Sequence, residues 1–269
     1  IIIVLPFLSI IEQNANQYSK ICPYLLEDHS QSDFDEVSKL YSDRWSSDVI
    51  VTTSVKFFEN LFRDKPTECR RLHNIANSVI IFDEAQSLPH NLVGATIETI
   101  NALCYNYNCT VLFSTATQPN FGFRKDLKWN PKEIIKDIGF LFKETNRVKV
   151  DWRLSHKMSF DLIAEEICKS TSCCAIVNMK KHSAELFNLL KDKLKGDEDS
   201  LFHISTDMCV SHRKRVVEEI THRLEHSQPC RLVSTQCIEA GVDLDFDRVY
   251  RALAPLDAII QSAGRCNRN

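Results

Sequence analysis

The chain has 269 residues, with 33 Lys and Arg against 36 Asp and Glu, a formal net charge of −3. That length accommodates about two domains, and a composition of 43% hydrophobic and 26% charged residues is typical of a globular protein. The near-neutral balance excludes a protein that holds nucleic acid through a global positive field, so any such binding must come from a local cleft and from backbone amides.

Cysteine usage and the first residues argue against secretion and membrane insertion. The 11 cysteines are odd in number and contain no CxxC pair, so they form neither a disulfide framework nor a zinc-type pattern. The opening IIIVLP is too short for a signal core or a membrane span. We therefore expect reduced cysteines, no membrane and a cytoplasmic location. Because the chain opens inside a strand and without Met, we also expect a missing N-terminal part.

Short apolar runs alternate with amphipathic stretches along the chain. The apolar runs predict nine β-strands, at 1–5, 48–53, 78–83, 109–115, 147–152, 173–179, 201–206, 230–235 and 247–253. The amphipathic stretches predict helices within 9–21, 92–107, 160–170, 182–194 and 212–224. This strand–helix alternation predicts an α/β fold with mainly parallel sheets.

Two regions lack this regularity. Residues 23–47 are polar and acidic, which predicts a surface excursion. Residues 118–146 contain two prolines and two glycines and show no clear period. The second region places a boundary near 143–147, so we predict a first lobe of residues 1–143 and a second lobe of residues 144–269.

VIIFDEAQ, at 79–86, joins an apolar strand to two adjacent carboxylates. Ligands of open α/β sheets lie beyond the carboxyl ends of the strands. At such an end Asp83 could hold Mg²⁺, Glu84 could orient and deprotonate a water molecule, and Gln86 could sense a bound phosphate. The alternative is a solvated strand end before a helix N-terminus, where acidic residues are favoured in any case.

Two further strand ends carry small polar residues or glycine. Thr115 and Thr117, in STATQP, could link the carboxylates to the rest of the molecule, although hydroxyl residues are also common in turns. In VSTQCIEAGVDLDF, at 233–246, Gly241 allows a ligand to approach the backbone closely, with carboxylates nearby. Each of these patterns leaves a purely structural interpretation open.

QSAGRCNR, at 261–268, ends the chain with two arginines. Arg265 and Arg268 are three residues apart and share one face if the segment is helical. Two planar guanidinium groups near Gly264 suit the charge that develops on a γ-phosphate. Two solvated arginines on a surface helix are the alternative.

These four motifs occur in one order on one two-lobed chain, and together they resemble a known family. The chain is similar to superfamily-2 helicases and, within them, to the CRISPR-associated helicase-nuclease of type I systems, over nearly its whole length. The segments that carry the resemblance are LPFLSIIEQNA, DVIVTTSVKFFENLF, CRRLHNIANSVIIFDEAQSLP, FSTATQPNF, HISTDMCVSHR and VSTQCIEAGVDLDFDRVYRALAPLDAIIQSAGRCNRN.

The resemblance implies two RecA-like lobes with ATP and Mg²⁺ between them and single-stranded DNA across both. It also implies a CRISPR RNA-guided surveillance complex as partner. By matching motif, Asp83 and Glu84 bind Mg²⁺ and activate water, and Thr115 and Thr117 couple hydrolysis to movement. The implied nucleotide-site residues are Gln86, Gly241, Asp243 and Gln261, with Arg265 and Arg268 as arginine fingers. The implied DNA contacts are Pro6, Ser9, Gln13, Thr52, Thr53, Thr206, Arg213, Thr235 and Gln236, mostly groups that position a phosphate backbone without reading bases.

The sequence departs from the family in several places. None of its six glycines opens a GxxxxGK[ST] phosphate loop, no His-Asp nuclease motif occurs among its nine histidines, and Lys56 stands where Gln is expected. We therefore expect a helicase portion truncated at both ends, with a first lobe that lacks its N-terminal phosphate-loop strand and a C-terminally incomplete second lobe. Alone, such a chain should be inactive.

Two other functions stay open. A non-catalytic nucleic-acid-binding module would grip single strands and hydrolyse nothing. Another superfamily-2 translocase, such as a restriction motor, is the second possibility, but RCNR and LHNIANSVIIFDEAQ argue against it.

Overall fold

The computed structural model describes residues 1–6, 11, 14–15, 17–30, 32, 36–115, 125–238 and 242–267, apart from the side chains of 36–38 and 67–68. The chain divides into two compact units, Ile1–Ile134 and Ile135–Asn269. The sequence-based prediction placed the division at 143/144. Each unit is an α/β lobe and is described separately below.

The first lobe contains a five-stranded sheet in the order β2-β3-β1-β4-β5, in which every pair is parallel. Its strands are β1 (Ile2–Leu5), β2 (Leu25–Asp28), β3 (Val49–Thr53), β4 (Val79–Asp83) and β5 (Thr110–Ser114). Its helices are α1 (Glu36–Arg44), α2 (Ser54–Phe62), α3 (Pro66–Cys69), α4 (Leu72–Ile75) and α5 (Val93–Asn106). The central strand β1 is buried along its full length, as expected for a strand with neighbours on both sides.

Local sequence explains where α2 begins and which faces of α2 and α5 are buried. The hydroxyl of Thr53 accepts a hydrogen bond from the Lys56 amide at 3.0 Å, which caps the start of α2. Phe57 and Asn60 of α2 are buried, and Phe57 packs with Phe82 of β4. One face of α5, including Ile97 and Ile100, is buried as well.

The second lobe contains a four-stranded parallel sheet in the order β7-β8-β6-β9. Its strands are β6 (Ser172–Ile176), β7 (Leu201–Ile204), β8 (Cys230–Ser234) and β9 (Arg248–Arg251). Its helices are α6 (Ile138–Glu144), α7 (Phe160–Lys169), α8 (Lys180–Lys193), α9 (Val210–Glu225) and α10 (Leu256–Ala263). Burial raises the pKa of the core thiols Cys173 and Cys230 to about 12, so these cysteines behave as small apolar residues.

The parallel α/β prediction is confirmed, and eight of the nine predicted strands are present. The prediction of a strand at 147–152 is wrong: these residues, all of which the structure describes, form no strand. Val150 and Trp152 are 49% and 54% exposed, so alternating apolar residues here do not face a core. The helices predicted at 92–107, 160–170, 182–194 and 212–224 are confirmed, whereas the one at 9–21 lies partly outside the described residues.

The prediction that residues 23–47 form only a surface excursion is also wrong. Within this segment β2 is an edge strand of the first sheet, and α1 follows it. The sequence hid β2 because its last residue, Asp28, is charged and yet only 1% exposed. Across the described residues, we find no helix with the length and apolar character needed to cross a bilayer.

Candidate functional site

The parallel topology brings polar strand ends of the first lobe to one edge of its sheet. Because all five strands are parallel, their carboxyl ends lie at the same edge. Among the candidates, Pro6 and Thr115 directly follow β1 and β5, whereas Thr53 and Asp83 are the last residues of β3 and β4. Asp83 is paired in register with Ser114, so the carboxylate motif and the TAT motif lie on adjacent strands.

The chain turns sharply at Glu84, directly after β4. Glu84 adopts a left-handed conformation, with φ 50° and ψ 47°, which is unfavourable for a residue with a side chain. Its amide donates to Oδ1 of Asp83 at 3.0 Å, and its carbonyl accepts the hydroxyl of Ser87 at 2.7 Å. These contacts fix the turn at the carboxyl edge of the sheet, where both carboxylates are partly exposed.

A chain of side-chain hydrogen bonds connects β4 to β5 at this edge. Nε2 of Gln86 donates to Oε2 of Glu84 at 2.5 Å. The hydroxyl of Thr115, which follows β5, donates to Oε1 of the same Gln86. The side-chain amide of Gln86 thus contacts both the Glu84 carboxylate and Thr115 of the TAT motif. Through these bonds, a shift of the end of one strand would displace the end of the other.

The oxygen ligands at this edge suit a magnesium ion bound mainly by water and phosphate. Mg²⁺ in nucleotide enzymes is held by one or two carboxylates and completes its octahedron with water and phosphate oxygens. Asp83 and Glu84 supply such carboxylates. Within the described ranges, no group of three or more His, Cys, Asp or Glu side chains could hold a metal by itself.

The predicted DNA contacts of the first lobe differ in accessibility. Thr52 is fully buried, and its hydroxyl donates to the carbonyl of Asp28 at 2.7 Å, so in this conformation it stabilises the pairing of β2 with β3. Thr53 and Pro6 are partly exposed at the sheet edge. Ser9 and Gln13 lie outside the described residues, as do Thr117, Gly241 and Arg268.

In the second lobe the predicted DNA contacts also follow strand ends. Thr206 is exposed just beyond β7, and Arg213 lies in the first turn of α9, partly exposed. Thr235 and Gln236 follow β8: Thr235 is buried, and Gln236 is exposed. The Thr235 amide donates to the carbonyl of Ile204 at 3.3 Å, which ties the ends of β7 and β8 together.

Backbone hydrogen bonds place the arginine motif beside the segment that follows Gly241. The Phe246 amide donates to the Arg265 carbonyl at 2.9 Å, and Phe246 forms a parallel bridge with Cys266. Arg265, which follows α10, therefore lies beside Phe246, three residues after Asp243. Gln261 lies in α10 and is partly exposed.

One residue at the second carboxyl edge escaped the sequence analysis. Asn178, which follows β6, donates to the carbonyl of Leu253 at 2.7 Å and accepts from Nη1 of Arg251 at 2.7 Å. These bonds join the ends of β6 and β9. The available signal was a polar Asn immediately after the apolar run at 173–177, within the strand predicted at 173–179.

Family models match both lobes. Residues 1–122 match the DEAD/DEAH box helicase model, and residues 169–269 match the model of the CRISPR-associated nuclease/helicase Cas3, C-terminal. The CRISPR-associated nuclease/helicase Cas3 of Haloferax volcanii is 25% identical across 90% of this chain and 35% of that protein. Its counterpart in Streptococcus thermophilus is 24% identical across 87% of this chain and 28% of that protein. The chain thus spans about a third of the length of such relatives.

Solved structures show the same fold. The crystal structure of T. fusca Cas3 with ATP superposes with a TM-score of 0.73 at 17% identity, over 100% of this chain and 38% of that one. The DUF1998 helicase MrfA bound to DNA gives a TM-score of 0.68 at 13% identity, over 99% of this chain and 40% of that one. The predicted pair of RecA-like parallel-sheet lobes and the resemblance stated from the motifs are confirmed.

Proposed function

We propose that this chain, whose residues 1–122 match the DEAD/DEAH box helicase model and whose residues 169–269 match the Cas3 C-terminal model, forms the motor of an ATP-dependent single-stranded DNA translocase in CRISPR antiviral defence. The observation that carries the proposal is the hydrogen-bond chain from Thr115 through Gln86 to Glu84. It joins a candidate catalytic carboxylate to the neighbouring strand, as a motor that converts hydrolysis into movement requires.

Within this proposal, Glu84 is the catalytic residue of the first lobe. Its carboxylate would orient a water molecule and accept its proton, while Asp83 would hold Mg²⁺. Bound Mg²⁺ would neutralise charge on the phosphates. Gln86 would fix the orientation of the Glu84 carboxylate, because the two side chains are hydrogen-bonded at 2.5 Å.

Thr115 and Thr117 would couple hydrolysis to movement. Thr115 already contacts Gln86, so a change at the nucleotide that moves Gln86 or Glu84 displaces the end of β5 as well. From the second lobe, Arg265 and Arg268 would stabilise developing phosphate charge, and Gln261, Gly241 and Asp243 would bind the nucleotide.

Single-stranded DNA is the proposed track. The contacts we propose are mostly hydroxyl and amide groups, which bind a phosphate backbone without regard to sequence. They are Pro6, Ser9, Gln13, Thr53, Thr206, Arg213, Thr235 and Gln236, with Thr52 supporting them from inside the sheet. Salt sensitivity of binding should be modest, because few lysines and arginines release counterions.

The proposed partner is a CRISPR RNA-guided surveillance complex. A structure entitled "CRISPR RNA-guided surveillance complex, pre-nicking" contains a chain similar to this one, with a TM-score of 0.59 at 15% identity. We also propose a cytoplasmic setting, on the cysteine pattern of the sequence.

The test is DNA-stimulated ATP hydrolysis by the protein that carries this chain, with and without Glu84→Gln. Loss of the general base should lower kcat by about 10²-fold or more, while binding of a fluorescent ATP analogue persists. Glu98→Gln, an exposed carboxylate on α5, is the matched control and should leave kcat unchanged. Equal hydrolysis by the Glu84→Gln variant would refute the catalytic assignment. The 269-residue chain alone should not hydrolyse ATP, because it contains no GxxxxGK[ST] loop.

A second candidate is a module that binds strands without hydrolysis. The two functions separate in the double variant Glu84→Gln with Arg268→Gln. For a motor, translocation and hydrolysis disappear in this variant. For a binding module, the unaltered protein hydrolyses nothing, and the double variant binds DNA as before.

A further inference from the structure

Lys56 occupies the first turn of α2, immediately after the carboxyl end of β3. Its amide is bonded to the hydroxyl of Thr53, one of the proposed strand contacts. Its side chain is 25% exposed, so the ammonium group lies near the surface at this edge of the sheet. At this position the family resemblance predicts Gln, a neutral residue.

The ammonium of Lys56 is held in place by a buried carboxylate. Its Nζ lies 3.9 Å from Oδ1 of Asp28, the last residue of β2. Asp28 is paired in register with Thr52 of β3, so the carboxylate and the lysine belong to adjoining strand ends. This contact restrains a long, flexible side chain at the edge where Thr53 is partly exposed.

Asp28 does not need Lys56 for neutralisation. Its Oδ2 accepts the indole N–H of Trp45 at 2.6 Å and lies 3.6 Å from Nη1 of Arg71. Arg71 is 6% exposed and supplies the buried positive charge that a buried carboxylate requires. The cluster of Asp28, Arg71 and Lys56 therefore carries one negative and two positive charges, and the surplus positive charge is the one nearest to solvent.

We propose that Lys56 binds a phosphate of the DNA strand next to Thr53, as an electrostatic contact that a Gln at this position could not make. This inference rests on the proposed function, since it assumes a single strand at this edge. A lysine ammonium is a compact charge with three donors, which suits a phosphate oxygen. It also releases a counterion from the strand, whereas hydroxyl and amide contacts do not.

The test measures the salt dependence of binding, which a purely structural lysine would not change. Fluorescein-labelled oligo(dT) is titrated with the protein that carries this chain, by fluorescence anisotropy, at several KCl concentrations between about 50 and 200 mM. Lys56→Gln should weaken binding and reduce the slope of log K against log salt by about 0.7, the value for one phosphate contact on a single strand. Lys56→Arg should keep the slope of the unaltered chain.

Lys65→Gln is the matched control, because it removes one exposed lysine beyond the opposite end of α2. It should leave the slope unchanged. If the unaltered chain binds and Lys56→Gln has the same slope, the Lys56 inference is wrong and the proposed function survives. If the unaltered chain does not bind oligo(dT) at all, the proposed strand-binding function fails, and this inference fails with it.

Discussion

The two lobes contain the same kind of parallel sheet and fill it with different side chains. In the first lobe, aromatic rings form a continuous series whose successive centroids are 5.1 to 6.3 Å apart. Its members are Trp45, Phe57, Phe82, Phe113 and Trp129. In the second lobe, mainly aliphatic residues and the buried thiols of Cys173, Cys174 and Cys230 fill the core, with Phe246 as its one fully buried aromatic residue among those described. The same kind of parallel sheet is therefore compatible with an aromatic core in one lobe and a mainly aliphatic core in the other.

The lobes also differ in how they bury charge. In the first lobe, both side chains of the ion pair between Arg71 and Asp28 are buried: Arg71 is 8% exposed and Asp28 is 2% exposed. In the second lobe Arg231 is 9% exposed, but its partner Asp197 is 50% exposed and stays hydrated. Removal of one member of the ion pair should therefore lower the free energy of unfolding more in the first lobe than in the second.

The carboxyl edges show the third difference. In the first lobe, side chains bond to one another, from Thr115 to Gln86 and from Gln86 to Glu84. In the second lobe, the hydroxyl of Ser234 and the amide of Asn178 bond to backbone carbonyls, and the one side-chain pair named above, Arg251 with Asn178, joins the ends of β6 and β9. One edge links functional groups, and the other secures strand ends. These three differences show that two lobes with the same kind of parallel sheet can differ in the chemistry of their carboxyl edges, because individual side chains determine that chemistry.

The largest expected effect tests the contrast in core packing. Phe82→Ala removes the centre of the aromatic series and should lower the free energy of unfolding of the first lobe by about 3–5 kcal/mol. Cys174→Ala removes one sulfur from the second core and should cost about 1 kcal/mol. Urea unfolding followed by tryptophan fluorescence reports on the first lobe through buried Trp45, and circular dichroism reports on both lobes. An equal decrease in the free energy of unfolding for the two variants would mean that the aromatic series does not contribute more to stability than the core of the second lobe.

The next effect tests the contrast in buried charge. Arg71→Met leaves the Asp28 carboxylate in a buried site without its main cation and should cost about 3 kcal/mol. Arg231→Met should cost about 1 kcal/mol, since Asp197 can be hydrated. Urea midpoints measure both changes. Arg63→Met, which breaks an exposed pair with Glu59 on α2, is the control and should change stability by about 0.5 kcal/mol or less. An equal cost at Arg71 and Arg231 would contradict the comparison.

A smaller effect tests the linked edge. Thr115→Val removes the donor to Gln86 and should lower DNA-stimulated hydrolysis about threefold to tenfold, the equivalent of one neutral hydrogen bond. Ser114→Ala, at the exposed neighbouring position, should have no such effect. Steady-state kinetics of the protein that carries this chain measure both variants. Unchanged kcat in Thr115→Val would show that the bond is structural and does not couple the strands.

The smallest effect concerns thiol reactivity. Hydrogen bonds from the Ser211 hydroxyl and the His212 amide lower the pKa of the exposed Cys209 thiol, so its thiolate fraction at neutral pH is raised. Burial raises the pKa of Cys173 and Cys230 to about 12, so these thiols stay protonated. Iodoacetamide labelling followed by mass spectrometry should modify Cys209 first and the two buried thiols only after denaturation. Early labelling of Cys173 would show that the second core opens readily.

Much of this protein is readable from the order of its residues. Buried parallel strands appear as short apolar runs, because a strand covered on both faces needs apolar residues at every position. The functional motifs directly follow such runs, so their location at strand ends is visible as well. For these reasons β4, β5 and the positions of Asp83, Glu84 and Thr115 could be predicted before any coordinates.

Other features depend on contacts between residues far apart in the chain, and no local pattern encodes them. Strand β2 exists as an edge strand because Asp28 meets Trp45 and Arg71, which lie well beyond it in sequence. The left-handed turn at Glu84 and its link to Thr115 through Gln86 appear only when β4 and β5 are paired. A buried charge or a strained residue is stable only where the surrounding fold supplies its partners, and those partners are brought together by folding alone.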